Sequence, residues 1–349
     1  MKTVIVTGSA GFIGYHITQQ LLNDGFKVVG IDCLSDYYDI NLKKSRLSLL
    51  KQSNNFIEIN ERIERKDFLS SIFHEYKPDV VIHLAAQAGV RYSLENPRAY
   101  IESNLVGTFE LLEASKNHIP KHLLIASTSS AYGANKRMPF RETDKADHQV
   151  SFYASTKKST EIMAHSYSHL FNIPITVFRF FTVYGPWGRP DMAPYKFTKA
   201  IFNNEPIDIY NYGNMKRDFT YIDDLVKGIT LLMKKAPNLT KDKSSKIDSI
   251  SSVAPYRLVN IGNSKPISLN KFISAIENSI GKSAIRNEMP IQAGDVVETW
   301  ADITLFKELT GYVPQTNLDD GIHKFVLWYK DYYGNMDPSI WMTRNDNFY

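Results

Sequence analysis

The sequence predicts a doubly wound parallel α/β fold with a smaller mixed α/β lobe at its C-terminal end. Short runs rich in β-branched residues alternate with segments whose apolar residues repeat at helical spacing. TVIVTG is followed by FIGYHITQQLLNDG, and later runs are KVVGID, PDVVIHLAA, HLLIAS and ITVFRF. Strands separated by helices of this length indicate a parallel sheet covered on both faces.

The alternation ends near Phe181, where glycine and proline appear in VYGPWGRPDMAP. We therefore predict a first domain of residues 1–183, completed by a return at about 222–263. The C-terminal lobe would comprise residues 184–221 and 264–349. Residues 238–255, rich in Ser, Lys and Asp with few apolar residues, predict a mobile loop between a helix, LVKGITLLMKK, and a strand, RLVNIG.

The composition restricts the class of protein. With 43% hydrophobic residues in 349, the chain can form a substantial core. Its single cysteine, Cys33, cannot form an internal disulfide, and the N-terminus has no apolar run of signal or membrane length, so we predict a cytoplasmic location without membrane association. Lys and Arg are dispersed among the acids, which argues against nucleic acid as a partner. No His or Cys occurs at metal-ligand spacing.

The stretch TGSAGFIG places Gly8, Gly11 and Gly14 between the first strand and the first helix. Backbone amides at such a helix N-terminus can bind a pyrophosphate, although a glycine turn can also be purely structural. Asp32 ends the second strand about 20 residues after Gly14, the spacing of an acid that binds a ribose. A carboxylate there would repel a 2′-phosphate, so the pattern predicts a Rossmann-type domain for NAD. The alternative is that Asp32 is a turn residue.

Tyr153 and Lys157 of YASTK are four residues apart in a helical pattern and would share one face. A buried ammonium beside a phenol favours the phenolate, as does the positive charge of an oxidised nicotinamide. Lowering a phenol pKa from about 10 to about 7 requires about 4 kcal/mol. We therefore predict that the pKa of Tyr153 is lowered and that Tyr153 acts as a base.

Seven stretches in this order resemble the extended short-chain dehydrogenase/reductase family of nucleotide-sugar enzymes: TGSAGFIG, Asp32, HLAAQAGVRYS, STSSAYG, YASTK, RFFTVYGP and RDFTYIDD. Within that family, QAGVRYSLENP, VYGPWGRPDMA and QAGDVVETWAD resemble the UDP-glucuronate 4-epimerases most. The resemblance implies NAD as a tightly bound cofactor regenerated in each cycle, a UDP-sugar as substrate and a homodimer formed by the helices at 104–116 and 153–169.

The resemblance also implies which residues bind NAD: Gly8, Gly11, Phe12, Ile13, Gly14, Asp32, Leu84, Ala85, Ala86, Asn104, Tyr153 and Lys157. One position departs from the family pattern. Where an Asp usually contacts adenine, this chain has Arg62, between Glu61 and Ile63. We expect Arg62 to stack on the adenine instead.

The hydroxyl run STSSAYG follows a predicted buried strand. In similar enzymes the residue matching Thr128 hydrogen-bonds the sugar 4-hydroxyl, so the predicted catalytic set is Thr128, Tyr153 and Lys157. Related dehydratases carry acids where this chain has Ser129 and Ser130. Serines can donate hydrogen bonds to a sugar carboxylate without repelling it, although they can also merely cap backbone groups.

The remaining substrate predictions also come from the resemblance. Thr182 and Arg189 would face the acid sugar, Arg217 a phosphate and Asp295 the uridine ribose, with Gln292 and Arg91 as further contacts. Arg189 could equally be a surface arginine, and Arg217 could form a salt bridge with Asp218, Asp223 or Asp224. His83 is interpreted as a buried strand residue without chemistry.

The predicted function is an NAD-dependent epimerase that inverts carbon 4 of a UDP-sugar, namely UDP-glucuronate, through a 4-keto intermediate. Two alternatives stay open. One is a 4-epimerase of a neutral UDP-hexose or UDP-N-acetylhexosamine, for which Thr182 and Arg189 would serve no carboxylate. The other is an inactive NAD(H)-sensing module, since folds of this kind also serve regulation.

Overall fold

The computed structural model describes residues 1–239, 247–292 and 296–334. Asp295 lies outside these ranges, so its predicted contact with the ribose cannot be placed in the fold. Residues 240–246 of the predicted loop lie outside them too. Within the described ranges, no helix combines the length and the apolar character needed to span a bilayer.

The described strands are Thr3–Thr7 (β1), Lys27–Asp32 (β2), Phe56–Asn60 (β3), Val80–His83 (β4), His122–Thr128 (β5), Ile175–Phe180 (β6), Thr182–Tyr184 (β7), Pro206–Tyr210 (β8), Lys216–Tyr221 (β9), Tyr256–Ile261 (β10), Pro266–Ser268 (β11), Ile285–Met289 (β12) and Glu298–Thr299 (β13). Seven of them form one sheet in the order β10-β6-β5-β4-β1-β2-β3. Every neighbouring pair in this sheet is parallel. The doubly wound parallel sheet predicted from the sequence is confirmed.

The described α-helices are Phe12–Asn23 (α1), Ile40–Leu50 (α2), Phe68–Tyr76 (α3), Tyr92–Glu95 (α4), Pro97–Tyr100 (α5), Gly107–Asn117 (α6), Phe152–Phe171 (α7), Ala193–Asn203 (α8), Ile222–Leu232 (α9), Leu269–Ile280 (α10), Thr304–Thr310 (α11) and Leu318–Gly334 (α12). A π-helical segment, Ile101–Val106, joins α5 to α6. Short 3₁₀ turns follow β5 at Ser129–Tyr132 and β8 at Asn211–Gly213.

The large sheet is buried on both faces, which explains why its central strands read as nearly continuous apolar runs. Every residue of β4 and β5 is buried. On one face α1 and α9 pack through Ile17, Leu21 and Ile229. On the other face α3 and α6 pack through Leu69 and Leu111. The strand order reverses between β1 and β4, and the crevice at the carboxyl ends of these strands is where such sheets bind ligands.

The smaller lobe is built from two further sheets. One has the order β11-β9-β13 with β7 also paired to β9, and the other pairs β12 with β8. From the predicted return at 222–263, α9 packs on α1 and β10 forms the edge of the large sheet. The division of the chain at residue 183 stays a prediction.

The described part of the predicted loop, residues 247–255, is anchored by polar contacts. Asp248 accepts two hydrogen bonds from Arg257, each at 2.9 Å, and both side chains are buried. The side chain of His165 contacts Ser251 at 2.8 Å. Charged and hydroxyl side chains thus provide contacts here that the scarcity of apolar residues did not predict. The predicted mobility of the loop stays a prediction.

Candidate functional site

The glycine-rich turn between β1 and α1 is packed so closely that side chains are excluded at two positions. Gly8 has φ +74°, and a Cβ there would lie 2.8 Å from the amide nitrogen of Ala85. A Cβ on Gly14 would lie 1.9 Å from the carbonyl oxygen of Gly8. Gly11 is the N-cap of α1. The first two residues of the helix are Phe12 and Ile13. The bare backbone amides of this helix N-terminus are suited to bind a pyrophosphate.

Asp32 lies beside this turn, as its position at the end of β2 predicts. Its carboxylate accepts hydrogen bonds from the amide of Ala10 at 3.0 Å and from the amide of Leu34 at 2.9 Å. Each carboxylate oxygen thus uses one acceptor position and keeps another. The remaining capacity suits the hydroxyls of a ribose.

A buried arginine joins the glycine-rich turn to the loop after β7. Arg46 of α2 donates to the carbonyl oxygen of Ala10 at 2.8 Å and to that of Trp187 at 2.6 Å. It also donates to the hydroxyl of Tyr38 at 2.8 Å. One guanidinium group therefore holds two segments that are far apart in the chain.

The loop after β4 forms the opposite wall of the crevice. The amides of Leu84 and Ala85 both donate to the Thr7 hydroxyl at 3.2 Å, which brings the predicted segment Leu84, Ala85 and Ala86 beside the glycine-rich turn. His83 is buried between Thr7 and Thr108. Burial lowers the pKa of His83 to about 3, so this ring is neutral.

Asn104 braces this loop against α7. It lies in the π-helical segment, and its side-chain amide donates to the carbonyl oxygen of Gln87 and to the hydroxyl of Thr156, each at 3.0 Å. Its side-chain oxygen accepts from the Gln87 amide at 2.8 Å. Asn104 therefore fixes the wall of the crevice, while its predicted contact with the cofactor stays a prediction.

The four hydroxyl residues at the end of β5 have different environments. Ser127 is buried and donates to Glu161 at 2.6 Å, which makes it structural. Thr128 caps the 3₁₀ turn by accepting a hydrogen bond from the Ser130 amide at 3.1 Å. Ser129 and Ser130 are half-buried in that turn. The cap uses one lone pair of the Thr128 hydroxyl oxygen. The hydroxyl proton of Thr128 can therefore be donated to another group.

Tyr153 is that group, and α7 presents it together with Lys157. Burial raises the pKa of Tyr153, while a hydrogen bond from Thr128 and the charge of Arg189 lower it. Burial lowers the pKa of Lys157 to about 8, against a raising effect of Glu161. Among the chain's own groups, desolvation is the largest influence on this phenol. The predicted lowering of its pKa, to which the charge of an oxidised nicotinamide contributes, stays a prediction.

Arg189 belongs to the site and is not an isolated surface arginine. Its guanidinium is paired with Asp191, with 3.0 Å between Nε and Oδ1. The same carboxylate accepts a hydrogen bond from Tyr37 at 3.2 Å. Since the charge of Arg189 also lowers the pKa of Tyr153, the two side chains lie in the same region. Asp191 and Tyr37, which the sequence analysis missed, hold this cation in place.

The other predicted substrate residues lie along the small lobe. Arg91 lies 4.7 Å from the centre of the Tyr210 ring, across the gap between the loop after β4 and β8. Thr182 begins β7 and is half-buried. Arg217 of β9 donates to the carbonyl oxygen of Val297 at 3.0 Å, and Gln292 is the last residue described before the gap at 293–295. Their contacts with a substrate stay predictions.

Asp218, one of the predicted partners of Arg217, accepts hydrogen bonds from backbone amides. Its buried carboxylate accepts from the amides of Asn263, Ser264 and Ala301, at 2.7 to 3.0 Å. These three bonds join β9 to two neighbouring segments. Burial nevertheless raises the pKa of Asp218 to about 6. This carboxylate is a structural hub of the small lobe.

Two further buried charges escaped the sequence analysis. Glu161 and Arg179 form an ion pair, with side-chain exposures of 2% and 1%. A signal was present, since Glu161 continues the spacing of Tyr153 and Lys157 by one more helical turn. Arg179 likewise stands as the single charge in the apolar strand ITVFRF. A lone charge in a buried strand indicates a buried partner.

Several known proteins are similar to this chain over nearly its whole length. "Protein CapI" of Staphylococcus aureus is 51% identical over 332 residues, covering 95% of this chain and 99% of that protein. "Probable UDP-glucuronate 4-epimerase" of Rhizobium meliloti (strain 1021) is 49% identical over 340 residues, covering 96% and 99%. The crystal structure of UDP-glucuronic acid 4-epimerase from Bacillus cereus, in complex with UDP-glucuronic acid and NAD, is 36% identical with a TM-score of 0.84, covering 95% and 100%.

The family model described as GDP-mannose 4,6 dehydratase matches residues 5–325. This range contains the glycine-rich turn, Asp32, the hydroxyl run and the YASTK helix. The resemblance predicted from the sequence is thereby confirmed. The chain belongs to the GDP-mannose 4,6 dehydratase family of short-chain dehydrogenase/reductase proteins.

Proposed function

We propose that this protein is an NAD-dependent UDP-sugar 4-epimerase that converts UDP-glucuronate to UDP-galacturonate through a 4-keto intermediate. The observation that carries the proposal is the grouping of Thr128, Tyr153 and Lys157: Thr128 lies close enough to Tyr153 to lower its pKa, and Lys157 is buried one helical turn further along α7. Relatives and solved structures named for this activity support it. The absence of an acid at Ser129 and Ser130 argues against elimination of water, which requires an acid and a base.

The residues around the crevice fit NAD. The turn formed by Gly8, Gly11 and Gly14 carries no side chain at these positions before and within the first turn of α1, and Asp32 retains acceptor capacity beside it. Residues 84–86 and Asn104 form the other wall, and Arg62 lies at the end of β3, paired with Glu64. Bound NAD supplies a hydride acceptor and donor for carbon 4, and a positive charge that lowers the pKa of Tyr153.

The chain's own residues transfer the proton of the sugar 4-hydroxyl. Tyr153 accepts the proton of the 4-hydroxyl, directly or through Thr128, and returns it after the keto sugar has turned its other face. Thr128 stabilises the developing phenolate by donating a hydrogen bond. Lys157 is the buried ammonium that stabilises the same charge from one helical turn away and binds the ribose. Lys157 can do so while it is protonated, that is below its pKa of about 8.

The diphosphate half of the substrate serves as the anchor around which the sugar turns. We assign Arg217 to a phosphate, with Arg91, Gln292 and Asp295 as further contacts along the small lobe. Because the binding energy comes from contacts with this non-reacting half, the hexose itself stays free to rotate. Ser129, Ser130 and Thr182 would donate hydrogen bonds to the sugar carboxylate, and Arg189 would provide the cation beside it.

The carboxylate contacts have a chemical purpose. Oxidation at carbon 4 gives a ketone to which the carboxylate is β, and such an acid loses carbon dioxide when the breaking bond aligns with the carbonyl π system. Donors fixed on a short 3₁₀ turn can hold the carboxylate away from that alignment. This is a matter of orientation more than of affinity.

Replacing Ser129 and Ser130 together by Ala is therefore expected to increase release of a UDP-pentose by about tenfold relative to UDP-galacturonate. Mass spectrometry of the products measures this ratio. Ser166→Ala provides the control, because Ser166 is exposed on α7 and its hydroxyl donates only to the Ile162 carbonyl oxygen in the same helix. An unchanged product ratio in the double variant would rule out the carboxylate clamp.

The main test is incubation of the purified protein with UDP-glucuronate and no added cofactor. We expect UDP-galacturonate to form at the equilibrium ratio, because NAD is restored in each cycle and stays bound. UDP-glucose and UDP-N-acetylglucosamine are run in parallel. If only a neutral UDP-sugar were converted, that sugar and not UDP-glucuronate would be the substrate. If the protein bound NAD but converted none of the three, it would be an NAD(H) sensor.

We further propose a cytoplasmic homodimer. A reducing compartment fits a chain with one cysteine, Cys33. Val106 and Phe109 at the start of α6 and Ile162 and Leu170 on α7 are exposed apolar residues, with exposures of 38 to 68%. Burying such a face against a second copy would form a four-helix bundle. Sedimentation should then give twice the chain mass of 39.9 kDa, and a monomer would contradict the dimer.

A further inference from the structure

A buried carboxylate connects the two elements that carry the catalytic residues. Glu161 lies on α7 one helical turn beyond Lys157. Its Oε1 accepts hydrogen bonds from the Ser127 hydroxyl at 2.6 Å and from Arg179 Nε at 2.8 Å. Its Oε2 accepts from Arg179 Nη2 at 2.7 Å and from Lys158 at 3.2 Å. Four donors therefore fix this carboxylate in one orientation.

The partner of Glu161 is fixed just as firmly. Arg179 lies on β6 directly opposite Ser127 of β5 in the register of the sheet. Its guanidinium lies 4.3 Å from the centre of the Tyr132 ring, at the end of the 3₁₀ turn that contains Ser129 and Ser130. Glu161 and Arg179 thus hold α7 against both the end of β5 and the turn that follows it.

The same carboxylate acts electrostatically on Lys157. Burial lowers the pKa of Lys157, and Glu161 is the charge that opposes this effect. The Lys157 charge also acts on His83 of β4. Further titratable or charged groups on the packed elements are Tyr153 and Lys158 on α7 and Arg179 on β6. His83 is neutral because its pKa is about 3. Arg179 and Lys158 are both paired with Glu161, so this one carboxylate offsets part of the charge of the two cations.

We propose that Glu161 is a positioning residue for catalysis: it holds Thr128, Tyr153 and Lys157 in register through Ser127 and Arg179, and its carboxylate is the counter-charge to the Lys157 ammonium one helical turn away. The catalytic meaning of this inference rests on the proposed epimerase function. The electrostatic part does not, since it concerns the protonation of one lysine in the folded chain.

The test is Glu161→Gln in the full-length protein with its bound NAD. Lysines are labelled with ¹³C at Cε, and the Lys157 signal is identified by its loss in Lys157→Met. In Glu161→Gln we expect the Lys157 titration to move down by about one pH unit or more, because the nearest opposite charge is removed. At pH 7.5 we expect kcat for UDP-glucuronate to fall about tenfold while KM stays within about twofold, because the diphosphate anchor is untouched.

Ser127→Ala is the matched control. It removes one donor to Glu161 but keeps the carboxylate and its ion pair, so the Lys157 titration should stay unchanged and kcat should fall by less than about threefold. A titration and a kcat in Glu161→Gln equal to those of the natural protein would overturn the proposal. If the natural protein fails to convert UDP-glucuronate, the proposed function fails, while the titration still decides whether Glu161 is the counter-charge to Lys157.

Glu161→Gln leaves Arg179 buried without its partner and can therefore prevent folding. The double variant Glu161→Gln with Arg179→Gln removes both charges, so no buried guanidinium is left without its carboxylate. Because Glu161 is the charge that shifts Lys157, its titration should still move down. If Lys157 in the folded double variant titrated at the same pH as in the natural protein, the proposal would be overturned as well.

Discussion

Tyr153→Phe is expected to lower kcat for the conversion of UDP-glucuronate by about three orders of magnitude. The change removes the hydroxyl that accepts and returns the proton, and general acid–base groups contribute about 10²- to 10⁴-fold. The ring should remain, packed edge-on at 6.0 Å from the ring of Tyr100. Bound NAD and the thermal unfolding temperature should therefore change little. Product formation by chromatography and NAD released on denaturation measure the two effects.

Tyr167→Phe is the matched control for this variant. Tyr167 lies on the same helix and donates its hydroxyl to Glu113 of α6, away from the crevice. We expect its epimerase activity to stay within about twofold of the natural protein, since the change removes one part-buried hydrogen bond, worth about 1 kcal/mol of stability, and no group of the crevice. If Tyr153→Phe inverted the sugar as fast as this control, the proton transfer assigned to Tyr153 would be wrong.

Gly14→Ala should have the second largest effect, on cofactor binding and on stability. The new Cβ would lie 1.9 Å from the carbonyl oxygen of Gly8. Gly8 cannot retreat, because it already lies against the backbone of Leu84 and Ala85. Either α1 or the turn must move, at a cost of about 3 kcal/mol or more. We expect loss of bound NAD and a fall in the unfolding temperature of several degrees.

Gly334→Ala is the control for this substitution. Gly334 ends α12, and the nearest atom to a Cβ there is Cγ of Lys330 at 3.9 Å, an ordinary contact. This variant should keep its NAD and its unfolding temperature. Full NAD occupancy in Gly14→Ala would show that the close packing of α1 on the turn is not needed for binding.

The features predicted correctly from the sequence are those whose signal is local. The glycine spacing, the end of β2 at Asp32 and the pair Tyr153 and Lys157 each lie within one or two adjacent elements, where strand and helix periods fix the geometry. The buried strand position of His83 follows from its apolar neighbours in the same way. Such patterns also revealed the fold, because a parallel sheet with helical crossovers has few possible arrangements.

The features missed depend on contacts between distant segments. Tyr37 and Asp191 meet only when the loop after β2 folds against the loop after β7, and no local period encodes that contact. The environment of Tyr153 was predicted incompletely for a similar reason. The prediction considered the charges of Lys157 and of an oxidised nicotinamide, whereas desolvation comes from every element that surrounds the phenol.

Arg46 should slow the opening of the crevice. Its guanidinium binds the Ala10 carbonyl oxygen in the glycine-rich turn and the Trp187 carbonyl oxygen in the loop after β7. These segments can separate only if two charge-assisted hydrogen bonds break together. We therefore expect a long residence time for a dinucleotide held there, which is what an enzyme needs when its redox group is reused in successive turnovers without exchange with the medium.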